Sequence, residues 1–528
     1  MKRALLLTML LIFISRLEAQ TFQRAFFSGG ARFLSAGPFS AKTNDGGTIS
    51  AYLWYSKSNS FVLQLVKISA DGTPSYLSNI ALAVGTYVTT IVQCADGGYA
   101  IVGGDGSYPG GILIYKTNAN GNLVWSNRYT KLNNITYSYD AIASGNYILI
   151  SGQGEFPNGS NIILMAVNAT SGDIFTYQKY SNTDSLPFWQ TQLIKPSAGG
   201  FAICSQVGFD ALLFKVNTNK KIAWAKKISL GNYSVKVRTM ITTADGGFVI
   251  GGSLYEAGNF EYNGVVAIKL NSTGNVVWAK ELSFSNEELI SQNGVYAIIE
   301  NADSSLVMAG EYYSDRNTNR FITKTNKNGD VIRSFIDDNY ITINNIFKAA
   351  NDHFLIAGIN YSLFPRSVPF FTNFNANGTT CNSNQNVTCT IIDHAAAQTA
   401  YNLKAADITA NITQSQYAVS TMAFGHVDSL VCNSAAIVKA SGDKIFTASI
   451  KPNIVSNNLL NLQIKSSITT DAKIVIKGVG NNILYQSNCN LVNGVTTKNI
   501  NLPTSIPGFY FVQIIAGNQQ QLLKFYKQ

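Results

Sequence analysis

The sequence predicts an all-β protein, with a seven-bladed β-propeller over residues 20–380 and a small C-terminal β-sandwich over residues 444–528. Three observations predict it. A glycine-rich hairpin signature recurs seven times at a nearly constant step, and a second turn signature follows it at a fixed place in each unit. The composition, 46% hydrophobic and only 13% charged, is that of a β-rich globular chain and not a disordered one.

The clearest copy of the first signature is Ala244-Asp245-Gly246-Gly247-Phe248-Val249-Ile250-Gly251-Gly252, matched by Ala95 to Gly104 and by Asn44 to Ile49. Weaker copies start at Ser144, Ala198, Ala302 and Asn351, so that the third residues of the tetrads fall at 46, 97, 145, 199, 246, 304 and 352, about 51 residues apart. The second signature is Val266 to Lys280, with Asn271-Ser272-Thr273-Gly274-Asn275 at its centre, and Leu113 to Trp125 repeats it. Asp-Gly and Asn-Gly turns supply the positive φ that tight hairpins need, and apolar alternation flanks them. Each unit therefore reads as four antiparallel strands, and units of about 50 residues that bury their faces only against neighbours make a propeller. The seventh unit lacks its own fourth strand. Two segments compete for that place: Phe22 to Phe27, which matches the fourth-strand pattern of Trp224 to Ile228, and Val387 to Ile392. The former would join the two ends of the ring without leaving an open edge.

Charge excludes one class of function. The net +10 is concentrated at the ends: residues 1–20 carry +2 and residues 444–528 carry +7, which leaves +1 for the body, too little field for a nucleic-acid backbone. The three histidines, His353, His394 and His426, share no metal-ligand spacing, and no nucleophile elbow, P-loop or Cys-x-x-Cys occurs. His353 reads as a solvated turn residue, and the Asn-rich turns at 118–121 and 326–330 as hairpins, because amides replace the acids a calcium loop requires. No cofactor or metal is expected. Loops after the second strands carry aromatics beside polar residues, with Tyr108, Phe156, Tyr255, Tyr262, Tyr312, Arg316 and Tyr361 as candidate recognition residues. Glu155, Glu256, Glu261, Glu311 and Asp315 fall in the same loops, where solvated acids are the plain reading and a glycosidase pair the sharper one.

At the N-terminus, Lys2 and Arg3 precede an apolar run to Ile14, and Ala19 ends a Leu-Glu-Ala stretch; this reads as a signal peptide over residues 1–19, too short to span a bilayer. No transmembrane segment is expected elsewhere. At the other end, Pro452-Asn453, the alternating run Leu459 to Ile464, the strand Gly508-Phe509-Tyr510-Phe511-Val512 and a terminal strand with Lys524 and Lys527 resemble the type A C-terminal sorting domain of type IX secretion cargo in Bacteroidetes. The family more often has a second proline where Val455 stands. The body in turn resembles surface propellers with Asp-Gly-Gly hairpins found ahead of this domain. The resemblance implies that the type IX machinery is a partner, that the domain is cleaved off, and that the protein is secreted or held at the cell surface. Asp184-Ser185-Leu186 and Asp428-Ser429-Leu430 resemble the acceptor for O-glycosylation of such proteins, at Ser185 and Ser429.

Residues 381–443, rich in Ala, Thr, Ser and Asn, read as a spacer. Export through an oxidising periplasm permits a disulfide there, joining Cys432 to either Cys381 or Cys389. The expected function is non-enzymatic binding or adhesion to a surface protein or glycan. The alternatives are a polysaccharide hydrolase or lyase with its site at the propeller mouth, or a structural part of the surface or export assembly.

Overall fold

The computed structural model describes residues 21–527 apart from short connecting segments, chiefly 285–293, 361–367, 375–384 and 435–445. All regular structure among them is β-strand. The two turn signatures act as their chemistry dictates. Gly46, Gly97 and Gly246 adopt φ of 83°, 79° and 77°, backbone that costs glycine nothing. The turn aspartate closes the loop from inside, Asp96 and Asp245 accepting from the N–H of Gly98 and Gly247 at 3.0 and 2.9 Å. In the second signature Asn118 accepts from the N–H of Asn120 and Asn122, and Asn271 from those of Thr273 and Asn275, so these amides build hairpins.

The hairpins yield small antiparallel sheets in chain order. Sheets one to six comprise residues 31–82, 86–131, 136–182, 188–229, 233–283 and 294–337. Sheet seven is built on residues 341–374, with Thr21–Ser28 as its fourth strand. The competing segment goes elsewhere, since Thr390–Asp393 pairs with sheet five. The first strand of each sheet packs against the first strands of the sheets before and after it, and that of sheet seven returns to that of sheet one, closing a cycle. Apolar clusters fill the gaps between successive sheets, for example Leu53 and Leu65 of sheet one with Tyr99 and Leu113 of sheet two. A strand enclosed on both faces has no polar side, and the third strand Ile112–Thr117 is buried at all six positions; the fourth strand Ile222–Ser229 is buried at only two of its eight.

Residues 381–443 depart from the expected spacer. The chain runs back past the sheets in reverse order and adds a fifth strand to each: Gln385–Asn386 to sheet six, Thr390–Asp393 to five, Ala397–Ala400 to four, Leu403–Asp407 to three, Ile412–Gln416 to two, Ser420–Thr421 to one and His426–Ser434 to seven. This belt covers fourth-strand edges that would otherwise offer unpaired backbone groups. Side chains fasten it: Tyr401 donates to Asp184 at 2.7 Å, His394 Nε2 lies 2.9 Å from Glu281 Oε2, and Ser126 donates to the Tyr417 carbonyl.

The belt corrects one of the two expected disulfide pairings, that of Cys432 with Cys389. Cys389 is a thiol, pushed up to about 11 by burial against hydrogen bonds with Ser334 and Thr323. It lies between the belt strands of sheets six and five, whereas Cys432 is on the belt strand of sheet seven. Cys381 lies outside the described residues. Cys94 and Cys204 are buried thiols packed as small apolar groups.

The chain divides into two compact units, residues 1–23 with 30–424 and residues 24–29 with 425–528. In the second, a three-stranded sheet (446–450, 459–466, 494–501) and a five-stranded one (454–455, 470–478, 483–491, 508–516, 519–527) share one apolar core that includes Leu462, Ile464, Ile474, Ile476, Val512 and Ile514. The strand begun by Gly508 pairs with the terminal strand, placing Lys524 opposite Phe511, and buried Tyr510 stacks on Phe525 with centroids 5.6 Å apart. Pro452, Asn453 and Ala19 lie outside the described residues.

Candidate functional site

In sheets two to seven the first strand carries one extra residue at the same place. These bulges insert Thr89, Tyr139, Gln190, Arg238, Tyr296 and Asn344. Sheet one is irregular at the corresponding stretch, Ala36 to Phe39. Opposite five of the six bulges the second strand has a glycine, at 103, 152, 252, 310 and 358. The reason is steric. A Cβ would stand 1.9 Å from the Tyr87 carbonyl oxygen at Gly103, 2.0 Å from that of Tyr137 at Gly152 and 2.2 Å from that of Lys236 at Gly252. The glycines that end the repeat signature therefore make room for a bulge, a device that re-aims a side chain.

The result is a ring of positions with constant backbone and varied chemistry, on the strands that face the axis of the cycle. Thr89, Tyr139, Arg238, Tyr296 and Asn344 are all half-buried. Neighbours interact across sheets: Thr89 Oγ1 lies 3.2 Å from Ser138 Oγ, and the Arg238 guanidinium lies over the Tyr296 ring, 5.2 Å from its centroid. Tyr139 donates to Gln153 at 2.9 Å.

Charge gathers around Arg238. Burial pushes the Glu311 carboxyl above its ordinary range, opposed by Arg320, by the Ile343 N–H and by Arg238; Arg320 Nε is 4.0 Å from the carboxylate. Burial likewise raises the Tyr296 phenol against the pull of Arg238, and burial together with Arg238 lowers the Lys236 amine. The arrangement offers a cation, a phenol, a carboxyl that holds its proton to higher pH than usual, and amide and hydroxyl groups. Among the described residues no group of three His, Cys, Asp or Glu is placed to hold a metal ion.

The loop residues read from sequence fare unevenly. Tyr255 is half-buried near the end of its second strand, within electrostatic reach of Tyr296. Tyr312 is core: it is buried and stacks on Phe284 at 4.7 Å and 10°. Phe156 ends a second strand and Tyr262 lies in a third strand, and Tyr108, Arg316, Tyr361 and Ser185 fall outside the described residues. Ser429 lies in the last belt strand. Of the five acids, Glu155, Glu256, Glu261 and Glu311 sit in strands and not in loops, while Asp315 is outside the described residues. His353 is not solvated; it is buried with Nδ1 2.9 Å from Asn373 Oδ1. Sequence reading missed the bulge ring, although the glycine at the end of each second-strand run was its visible trace.

No protein-family model matches the chain, and no curated protein does. Solved structures with similarity include a Bacteroides caccae protein of unknown function, at 11% identity and a TM-score of 0.35, covering 60% of this chain and 94% of that one. Another is an ulvan lyase of family PL25 bound to -[GlcA(1-4)Rha3S]-, at 12% identity and a TM-score of 0.42, covering 63% and 93%. A third is the dihydro-heme d1 dehydrogenase NirN in complex with DHE, at 8% identity and a TM-score of 0.40, covering 71% and 74%.

Proposed function

We propose that this chain is an exported seven-bladed propeller that binds a glycan or protein at its axial face, followed by a β-sandwich that serves as a type IX sorting domain. One observation carries the binding reading. The bulge ring repeats the same backbone in six sheets, and five of the bulges carry the half-buried side chains Thr89, Tyr139, Arg238, Tyr296 and Asn344. A fixed frame with varied hydrogen-bonding and aromatic groups suits recognition of a polar ligand. The export reading rests on the terminal motifs and on the two sheets that share one core at residues 446–527. No helix among the described residues is long and apolar enough to cross a membrane.

The test uses the mature chain from Gln20, applied to a glycan array and to outer-membrane extract. Binding that falls at least tenfold in both Arg238→Ala and Tyr296→Ala supports the reading; binding untouched by either overturns it. Deletion of residues 449–528 should abolish secretion. One observation favours a second reading, a polysaccharide-acting enzyme: the carboxyl of Glu311 is raised beside a phenol and an arginine. Turnover of any polysaccharide that is lost in Glu311→Gln would establish it.

A further inference from the structure

The junction of sheets six and seven lacks an interlock that three other junctions share. The third residue of the fourth strand in sheets two, four and five is Trp125, Trp224 or Trp278, and each indole lies against a positive-φ glycine in the second-signature hairpin of the next sheet, Gly172, Gly274 and Gly329. Sheet six has Arg333 at that position, opposite Lys324 as Trp278 is opposite Lys269. Sheet seven offers no such hairpin, because its third and fourth strands are not consecutive in the chain. Neither half of the interlock is present.

A cavity of about 150 Å³ occupies this junction. Val307 and Phe335 of sheet six and Phe354 and Phe374 of sheet seven line its apolar wall, and Lys324 and Arg333 stand at its edge. Protein interiors are close-packed, and an apolar void of this size is large enough for a benzene ring. Lys324 also differs from its counterparts. Lys116 and Lys269 donate to their hairpin aspartates at 2.7 and 2.9 Å. Asp303, the corresponding acid, instead accepts from the Ser305 hydroxyl at 2.6 Å and feels Lys324 only at longer range. Among the described residues Lys324 makes no ion pair.

We infer that this cavity is a binding site for a small aromatic carboxylic acid, its ring among Val307, Phe335, Phe354 and Phe374 and its carboxylate at Lys324 and Arg333. The site is independent of the bulge ring. Titration calorimetry on the full mature chain with phenylacetate and with toluene, an uncharged partner of similar shape, tests it. Phenylacetate should bind at least fivefold more tightly than toluene; Lys324→Met should level the two; Val307→Phe should abolish both. If Val307→Phe does not fold, Val307→Leu, which narrows the cavity, should weaken both ligands. Failure of wild-type protein to bind phenylacetate overturns the inference, as does equal affinity for the two compounds.

Discussion

The indole of Trp224, on sheet four, lies so close over Gly274 in the hairpin of sheet five that a methyl group on the glycine would stand 2.6 Å from the ring. Gly274 also adopts φ of 78°. Gly274→Ala should therefore cost about 2–4 kcal/mol, the sum of left-handed strain and overpacking. Gly145, at φ of 57° with open space around it, separates the two effects, and Gly145→Ala should cost only about 1 kcal/mol. Urea unfolding midpoints measure both.

The bulges depend on the glycines that face them. Gly252→Ala would place a Cβ 2.2 Å from the Lys236 carbonyl, so the first strand of sheet five must shift and carry Arg238 with it. The expected result is a loss of about 2 kcal/mol or more of stability together with loss of the Arg238–Tyr296 contact. A crystal structure of the variant with the bulge intact would contradict this.

Lys116 is buried to 1% exposure and donates both to Asp96 and to the Thr117 carbonyl. Asp96→Ala should destabilise by about 2 kcal/mol, at the low end for a broken pair because Asp96 itself is half exposed. Adding Lys116→Met should restore most of the loss, since an apolar chain of similar length fills the same space without a charge. A double-mutant cycle in urea reads the coupling.

Hydrogen bonds from the Lys67 ammonium and the Thr43 hydroxyl hold Asp45 at about 2. At Asp245, bonds from Thr243 and Lys269 outweigh a burial penalty and again give about 2. Carboxyls depressed in the folded state stabilise it above their unfolded value of 3.8, and that contribution disappears as pH falls from 3.8 to about 2. Melting temperature should drop across this window, and the drop should be shallower in Asp45→Asn and Asp245→Asn.

The belt should be the least protected part of the first unit. Its strands of two to five residues over 385–421 are partly exposed, whereas third strands such as Ile112–Thr117 are wholly buried. Hydrogen exchange should mark residues 390–407 before any first or third strand. His394→Ala, which removes the contact to the buried Glu281, should speed exchange at 390–393 at least fivefold.

Much of the cycle of sheets was legible because Asp-Gly-Gly and Asn-x-Asn-Gly turns act locally: Gly97 and Asn118 need only their own hairpins to declare themselves. The belt was not legible, because strands such as Ala397–Ala400 take their order from a sheet edge nearly 170 residues earlier in sequence and carry no apolar alternation. Tyr312 was misread for the same kind of reason. A tyrosine near a strand end looks alike whether it reaches solvent or stacks on Phe284, and only packing decides. His353 repeats the lesson, its turn position masking the Asn373 bond that buries it. The bulge ring left a trace in the second-strand glycines, but a glycine does not say which residue across from it is displaced.

The fifth strands have a consequence for biosynthesis. They are translated after sheets one to six, and in the opposite spatial order, so a nascent chain that has reached residue 384 has complete four-stranded units whose outer rims are all bare. Those rims are templates for intermolecular pairing until the next few dozen residues emerge. Stop codons between 385 and 421 should thus give products whose tendency to aggregate decreases stepwise, sheet six being shielded first and sheet one last.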